Sequence, residues 1–307
     1  MVHSLITGAA GMMGTHLYET LKNDDVDVLA TYLLPTVDER DPILQDLKDN
    51  HLELDLLDYP SVVDAITTNK PEVIYHLAAQ SRPDVSFNNV KYTFDVNVQG
   101  TINLLDACKE LDYKPRIVNA SSSAVYGDID WTEPPDEDAP TRPMSPYGSS
   151  KLAQEHLMRN YNQMGHIDFV NMRIFNCTGP RKINDFVSDV VRRIINKEEP
   201  LRVGNLSTRR SIVDVRDLVR GLIKASQVTE LGTTLNLGSS TCYYMTDVME
   251  MMTGGRGYET DPSLFRVTDE NVIYGNINKA KDLLDWNTNI SLPTTIGDTF
   301  YYWRSLE

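Results

Sequence analysis

The chain has 307 residues, of which 41% are hydrophobic and 24% charged, a composition typical of a globular protein with a substantial core. Its net charge of −15 argues against nucleic acid or an anionic membrane surface as a partner. Because no apolar run approaches the ~20 residues that cross a bilayer, and because the three cysteines lack disulfide or metal-ligand spacing, we expect a cytoplasmic protein without a metal site.

A short apolar strand is predicted over residues 2–7, followed by the turn Gly8-Ala-Ala-Gly11-Met-Met-Gly14 and an amphipathic helix over about residues 15–21. This order is typical of dinucleotide-binding sites, where glycines permit a tight turn and the helix N terminus receives the pyrophosphate. The spacing is Gly-x-x-Gly-x-x-Gly and not Gly-x-Gly-x-x-Gly, so an ordinary strand–helix turn is the alternative.

The second predicted strand, residues 26–32, ends where dinucleotide-binding folds choose between NAD and NADP. An acidic residue there binds the ribose hydroxyls of NAD, and an arginine accommodates the extra phosphate of NADP. The chain has Tyr32, Leu33 and Leu34 at this point, with Arg40 a few residues further on. The choice of cofactor therefore stays open.

Two more strands are predicted over residues 52–57 and 73–79, and a helix over residues 94–108. His76 is interpreted as a packed strand histidine, and Ala78 and Ala79 leave room for a flat cofactor ring. Asn97, near the start of the helix, is either a site residue or a surface residue. Strands and helices alternate to about residue 171, which predicts a doubly wound parallel sheet of the Rossmann type.

The stretch from residue 117 to residue 151 carries the candidate chemistry. A buried strand ending in Ser121-Ser-Ser123 is followed by a predicted helix with Ser145 as its cap and Pro146 as its first residue. Tyr147 and Lys151 then share one helical face, where an ammonium group lowers the pKa of a phenol. Such a tyrosine exchanges a proton with a carbonyl or alcohol oxygen that a serine also binds. Tyr-x-x-x-Lys also arises by chance, so the pattern alone does not establish a site.

Five motifs, in order along essentially the whole chain, resemble the extended short-chain dehydrogenase/reductase family: Thr7-Gly-Ala-Ala-Gly-Met-Met-Gly14, His76-Leu-Ala-Ala79, Asn97-Val-x-Gly-Thr101, Ser121-Ser-Ser-Ala-Val-Tyr-Gly127 and Tyr147-Gly-Ser-Ser-Lys151. The resemblance implies that Tyr147 is the acid/base, Lys151 its electrostatic partner on the nicotinamide ribose, and Ser122 the hydroxyl on the reacting oxygen. It implies NADP or NAD as cofactor, with NADPH preferred. The expected cofactor-binding residues are Gly8, Gly11, Met12, Met13, Gly14, Tyr32, Asp55, Leu56, Leu77, Ala78, Ala79, Asn97, Tyr147 and Lys151.

The second half resembles the nucleotide-sugar branch of that family, and is closest to the GDP-mannose 4,6-dehydratases and GDP-6-deoxy-4-keto-mannose reductases. The motifs are Arg142-Pro-Met-Ser-Pro-Tyr147, Arg173-x-Phe-Asn-Cys-Thr-Gly-Pro180, Val203-Gly-Asn-Leu-x-x-Arg-Arg210 and Phe265-Arg266. The resemblance implies a nucleotide-sugar substrate bound by Ser123, Asn176, Arg210 and Arg266, with the arginines as forked donors to phosphate or ribose. Ser211 and Val267 depart from the GDP-sugar pattern, in which an acid and a proline stand.

Ala124 separates the possible reactions. In the 4,6-dehydratases a carboxylate two residues before the tyrosine that matches Tyr126 moves the proton during water loss, and alanine has no such group. Asp128 and Asp130 lie just beyond and are expected on the surface. We therefore expect reduction of a 4-keto-6-deoxy nucleotide sugar. A 4-epimerase is the alternative, a dehydratase a weaker one, and a cofactor-binding module without catalysis a minor one.

Two domains are expected: a dinucleotide-binding domain from residues 1–174 and 211–250, and a nucleotide-sugar-binding domain from residues 175–210 and 251–307. The resemblance also implies a homodimer through the helices near residues 90–108 and 146–162.

Overall fold

The structure is a computed structural model that describes residues 4–130, 132–265 and 272–307. Its strands are β1 (Ser4–Thr7), β2 (Val28–Tyr32), β3 (Leu52–Glu53), β4 (Val73–His76), β5 (Arg116–Ser122), β6 (Asp168–Ile174), β7 (Asn176–Thr178), β8 (Leu201–Val203), β9 (Arg209–Asp214), β10 (Thr233–Leu237), β11 (Cys242–Tyr244), β12 (Tyr258–Thr260) and β13 (Val272–Ile273). Its α-helices are α1 (Met12–Asn23), α2 (Ile43–Asn50), α3 (Tyr59–Asn69), α4 (Pro83–Asn88), α5 (Val90–Phe94), α6 (Gly100–Cys108), α7 (Pro146–Gln163), α8 (Phe186–Ile195), α9 (Val215–Ala225), α10 (Met245–Thr253), α11 (Asn278–Leu284) and α12 (Leu292–Ser305).

The main element is a seven-stranded sheet in the order β10-β6-β5-β4-β1-β2-β3, and its neighbouring strands pair in parallel. Apolar clusters cover its two faces: one includes residues of α1 and α9, and the other residues of α3 and α6. Strands β1, β4 and β5 are buried along almost their whole length, as strands covered on both faces are, although β1 and β5 also contain buried polar residues such as Thr7 and Asn119. The predicted doubly wound parallel sheet is confirmed.

The chain order reverses at β1, which pairs with β2 on one side and with β4 on the other. Adjacent turns then leave the sheet in opposite directions, which opens a crevice at the carboxyl ends of the strands. The glycine turn after β1 and the loop after β4 both lie at this end of the sheet, because β1 and β4 pair in parallel.

The second half of the described chain builds a smaller unit. Strand β9 lies between β11 and β13 and also pairs with β7, while β8 pairs with β12. Helices α8, α10 and α12 bury their apolar faces in a separate cluster. The division at residues 174, 210 and 250 stays a prediction; in the structure β9 pairs in the small sheet and β10 in the large one.

Several element boundaries differ from the sequence expectation. Helix α1 begins at Met12, because Gly11 still has extended backbone at φ −89° and ψ 165°. Strands β2, β3 and β4 are shorter than predicted. The predicted helix over residues 94–108 begins earlier, as α5, and passes through a π-helical turn at Asp95–Gln99 before α6. Among the described helices none has both the length and the apolar run needed to cross a membrane.

Candidate active site

The glycine turn after β1 is shaped by close contacts. Gly8 has φ +73°, and a Cβ there would lie 2.7 Å from the Ala78 Cα. A Cβ on Gly14 would lie 2.6 Å from the Ala9 Cα. These two glycines therefore hold the turn against the loop after β4 and against its own backbone, whereas Gly11 is half-buried and has more space.

The N terminus of α1 fits an anionic group. No side chain caps the helix at Gly11, so the amides of Met12 and Met13 have no side-chain acceptor. Helix N termini bind phosphate through such amides and through the helix dipole. The side chain of Met12 is buried in the core, so the backbone is what Met12 offers to a ligand. The turn thus fits a dinucleotide pyrophosphate.

The end of β2 presents apolar side chains. Leu33 and Leu34 are 42% and 69% exposed, and Tyr32 is half-buried. Arg40 donates from Nε to Asp38 at 2.8 Å and from Nη1 to the Leu306 carbonyl at 2.7 Å. Arg40 is thus held by the protein itself and does not fold back over β2.

Other predicted cofactor residues lie at the same edge of the sheet. The Asp55 carboxylate accepts from the Leu57 amide at 2.9 Å, and Leu56 is buried. Beyond β4, Leu77 packs against one core cluster, and the Ala78 amide donates to Thr7 Oγ1 at 3.2 Å. Ala78 and its neighbour Ala79 are half-buried, and Ala78 packs directly against Gly8 of the glycine turn.

Asn97 lies in the π-helical turn and is 0% exposed. Its Oδ1 accepts from the Gln80 amide at 2.7 Å, and its Nδ2 donates to the Gln80 carbonyl at 3.0 Å and to Ser150 Oγ at 2.9 Å. The Asn97 side chain, a candidate lining residue from the sequence, is therefore enclosed by protein. Its contacts fix the loop after β4 against α7.

Tyr147, Ser122 and Lys151 come together at the carboxyl end of β5. Ser145 caps α7 by accepting from the Gly148 amide at 3.0 Å, as predicted, which places Tyr147 in the first turn. Burial raises the pKa of Tyr147, and a hydrogen bond with Ser122 opposes that shift. The expected lowering by Lys151 is not found, since the Lys151 ammonium donates to the Ala120 carbonyl at 2.7 Å.

Lys151 is almost completely enclosed. Burial lowers its pKa to about 7, and the charge of Glu155 acts in the opposite direction. A lysine poised in this way responds to small changes in neighbouring charge at neutral pH. His76 is also buried, with a pKa lowered to about 3, and bonds to Thr7 and Thr101, so the interpretation as a packed strand histidine is confirmed.

The predicted substrate residues that the structure describes lie just after β5, on β7 and on β9. Ser123 follows β5 and is half-buried, and the exposed Asn176 on β7 donates to the Ser211 carbonyl at 3.0 Å. Arg210 on β9 is 8% exposed and donates to the Arg209 carbonyl at 2.9 Å. Arg266 lies outside the described residues. Asn176 and Arg210 thus occupy neighbouring strands of the small sheet.

Sequence reasoning missed three buried polar residues around this group. Ser86 Oγ accepts from the Tyr147 amide at 3.2 Å. Glu155, one turn beyond Lys151, binds Arg173 of β6 at 2.8 Å. The i+4 spacing of Glu155 from Lys151 was the available signal, but such a spacing is ordinary on a solvated helix.

A glycine turn at the reversal point, together with a buried Tyr/Ser/Lys group on β5 and α7, defines an extended short-chain dehydrogenase/reductase. The chain belongs to the GDP-mannose 4,6 dehydratase family, whose model matches residues 5–299.

Three similar proteins carry different names. A putative UDP-glucose 4-epimerase of Methanocaldococcus jannaschii is 28% identical over 306 residues, with 95% of each chain covered. The GDP-mannose 4,6 dehydratase of Drosophila melanogaster is 27% identical, covering 96% of this chain and 84% of that one. The structure of UDP-glucuronic acid 4-epimerase from Bacillus cereus, in complex with UDP-glucuronic acid and NAD, is 26% identical with a TM-score of 0.88, covering 99% of this chain and 100% of that one. The relatives modify nucleotide sugars in different ways, so the site must decide the reaction.

Proposed function

We propose that the protein reduces the C4 keto group of a nucleotide-linked 4-keto-6-deoxy sugar, with a GDP sugar as substrate and NAD(P)H as cofactor. The observation that carries the proposal is the buried Tyr147, Ser122 and Lys151 group beside Ala124. These residues supply a proton and a hydrogen bond to one oxygen, which is what carbonyl reduction requires.

Each residue has a role in that chemistry. Bound NAD(P)H supplies the hydride to the C4 carbon. Tyr147 gives its phenolic proton to the C4 oxygen, while Ser122 donates a hydrogen bond to the same oxygen. Lys151, as an ammonium, stabilises the phenolate that remains. Burial of this group strengthens each of these interactions because it excludes water.

Water elimination needs a further carboxylate at C5 and C6, and four described carboxylates between residues 128 and 155 are paired, hydrogen-bonded or exposed. Glu155 is paired with Arg173. Glu137 accepts from the Asn236 amide at 2.6 Å. Asp128 and Asp130 are exposed on the turn after Tyr126, as the sequence predicts. With Ala124 at the position of the dehydratase carboxylate, these contacts support reduction over elimination.

The nucleotide-sugar diphosphate is assigned to Ser123, Asn176, Arg210 and Arg266. Two of these, Asn176 and Arg210, lie on β7 and β9, which are neighbouring strands of the small sheet. A guanidinium offers forked donors to phosphate oxygens, and an amide suits a sugar hydroxyl.

A homodimer is part of the proposal. Helices α4 and α5 contact α7 and expose Phe87, Val90, Tyr92 and Phe94 next to it. Contiguous exposed apolar side chains of this kind are typical of a protein interface. Light scattering on the purified protein tests the state, and a monomer at micromolar concentration would refute it.

A 4-epimerase is the second candidate, because the similar Bacillus cereus structure is a UDP-glucuronic acid 4-epimerase bound to NAD. Epimerisation at C4 uses the same Tyr/Ser/Lys group for oxidation and re-reduction, so the residues alone suit both reactions.

The experiment begins with the ultraviolet absorbance of the purified protein. NADH or NADPH is then added with GDP-4-keto-6-deoxymannose, and UDP-glucose and UDP-glucuronate are incubated in parallel. A reductase consumes reduced cofactor in proportion to the keto sugar, and Tyr147→Phe abolishes this consumption. Tightly bound NAD, with interconversion of UDP-sugar epimers and no net redox change, would overturn the reductase and establish the epimerase.

A further inference from the structure

A buried carboxylate lies one helical turn beyond Lys151. Glu155 is 5% exposed, and its two oxygens accept three hydrogen bonds. Arg173 donates from Nε at 3.0 Å and from Nη2 at 2.8 Å, and Ser121 Oγ donates at 2.5 Å. A buried ion requires such partners to offset its desolvation, and these three hydrogen bonds provide them for Glu155.

Glu155 and its two partners join three elements, α7, β5 and β6, of which α7 and β5 carry the catalytic group. Ser121 precedes Ser122 on β5, and it is in register with Arg173 on β6. Lys151 donates to the carbonyl of Ala120, the residue before Ser121. Glu155 therefore fastens α7, which carries Tyr147 and Lys151, to the strand end that carries Ser122.

Arg173 is itself fixed, so it serves as a rigid anchor. Its Nη1 donates to the Glu137 carbonyl at 3.0 Å, and its guanidinium lies 4.8 Å from the centre of the Tyr126 ring. The Tyr126 hydroxyl in turn donates to Asn236 at 2.7 Å. The carboxylate thus belongs to a network that reaches from α7 across β5 and β6 to β10.

The titratable groups around Lys151 come from its own helix, from β4 and from β6. Tyr147 and Glu155 share its helix, His76 faces it from β4, and Arg173 stands behind Glu155 on β6. The hydrogen-bonded side chains that link α6 and the π-helical turn to β4 and α7, namely Asn97, Thr101, Ser150 and Gln154, are neutral. His76, with a pKa of about 3, carries no charge at neutral pH. The Glu155 charge is the one that raises the pKa of Lys151 against burial.

We propose that Glu155 is a positioning residue: its carboxylate, held by Arg173 and Ser121, aligns Ser122 with Tyr147 and places a negative charge one helical turn from Lys151. The inference rests on the proposed roles of Tyr147 and Lys151. It assigns the Glu155–Arg173 pair a role in the reaction that acts through Ser122 and Lys151.

The first test is the pH dependence of kcat in Glu155→Gln. The amide keeps an acceptor for Ser121 but loses the charge, and Arg173 remains as an unpaired cation. Lys151 then loses its proton at lower pH, so the alkaline fall in kcat moves to lower pH. We expect a loss of about tenfold at pH 8 that shrinks toward pH 6, since tenfold corresponds to one pKa unit. Glu155→Asp keeps the charge, so its alkaline fall in kcat returns to the pH at which the wild type shows it.

Two further variants separate charge from alignment. Ser121→Ala removes one contact of the carboxylate without changing any charge. It therefore lowers kcat at every pH and leaves the pH of the alkaline fall in kcat unchanged. The double variant Glu155→Gln/Arg173→Gln removes both charges and tolerates burial better than the single change. In this double variant kcat falls at a pH between those of the wild type and Glu155→Gln. The double variant also provides the test if Glu155→Gln does not fold.

A readout that does not use turnover separates this inference from the proposed function. Because the folded pKa of Lys151, about 7, lies below its ordinary value, the unfolded chain binds more protons between these values. Stability contributed by Lys151 therefore rises with pH across this window. Urea unfolding of the wild type and of Lys151→Met isolates the contribution, and Glu155→Gln starts the rise at lower pH.

Asp41→Asn is the matched control, because Asp41 is a buried carboxylate paired with Arg181 at 2.9 Å, remote from Lys151. It lowers stability without moving the Lys151 window. If Glu155→Gln leaves both the alkaline fall in kcat and the stability window where the wild type has them, the inference is wrong. If the window moves but the wild type reduces no keto sugar, the proposed function fails and the charge coupling stands.

Discussion

The backbone amide of Tyr147 donates to Ser86 Oγ at 3.2 Å, and the Ser86 hydroxyl donates to the Pro83 carbonyl at 2.6 Å. The first turn of α7 is thereby tied to α4, which follows the loop after β4. That loop also touches the glycine turn through Ala78. Tyr147, the proposed acid/base residue, is thus positioned by the same segment that packs against the glycine turn.

Replacing Ser86 with alanine should therefore affect catalysis as well as stability. The Tyr147 amide loses its buried acceptor, which costs about 1 kcal/mol of unfolding free energy. We also expect a several-fold lower kcat, because Tyr147 is no longer held at its first-turn position. Steady-state kinetics and urea unfolding measure both effects. Ser61→Ala, on the exposed start of α3, is the control, and equal kcat values for the two variants would contradict the prediction.

Tyr147→Phe removes the transferable proton and keeps the ring. Positioned acid–base groups contribute roughly 10²–10⁴-fold to rate, so we expect a loss of kcat of that order. Quenching of protein fluorescence by NADH or NADPH should be retained, because the glycine turn is unchanged. A variant that loses cofactor binding together with activity would show that the hydroxyl serves structure and not proton transfer.

Gly8→Ala tests the close contact with Ala78. Gly8 and Gly165 both have positive φ, at +73° and +85°, but nothing lies within 4 Å of a Cβ on Gly165. Backbone strain alone costs about 1 kcal/mol in each variant. We expect Gly8→Ala to lose at least a further ~2 kcal/mol and its cofactor affinity, because backbone atoms must move. Similar unfolding free energies for the two alanine variants would argue against the contact.

His16 predicts an acid-side loss of stability. Its pKa is lowered to about 4 by burial and by the charge of Arg181, against an ordinary value of 6.5. The unfolded chain therefore binds a proton that the folded chain excludes between these values, so stability falls as pH drops through this window. The full contribution is roughly 3 kcal/mol. His16→Gln should flatten the profile from pH 6.5 to pH 4 in urea unfolding, and an unchanged slope would assign the loss to other groups.

The periodic and capped parts of the chain were predictable from sequence. Ser145 and Pro146 announce the start of α7, and that start determines where Tyr147 and Lys151 lie. What sequence could not provide was the partner of a buried polar group, because the contacts of Asn97 and Glu155 join residues far apart in the chain. Asn97 was considered as a lining residue and is enclosed instead. The lowered pKa of Lys151 could not be predicted from sequence either, because it depends on burial that only the packed structure defines.

The order in which the chain visits its two sheets constrains how the protein can fold and change. The chain completes β1 to β6 in the large sheet, builds β7 to β9 elsewhere, returns for β10, and leaves again for β11 to β13. The edge strand β10 of the large sheet is therefore synthesised after β7 and β9 of the four-stranded small sheet and before β11 and β13. Pairings of such long sequence separation, like that of β10 with β6, form slowly. The smaller unit, to which we assign substrate binding, also cannot be exchanged as one continuous segment. A chimera with a related enzyme would have to carry two separate insertions, each compatible with β10 and α9 between them.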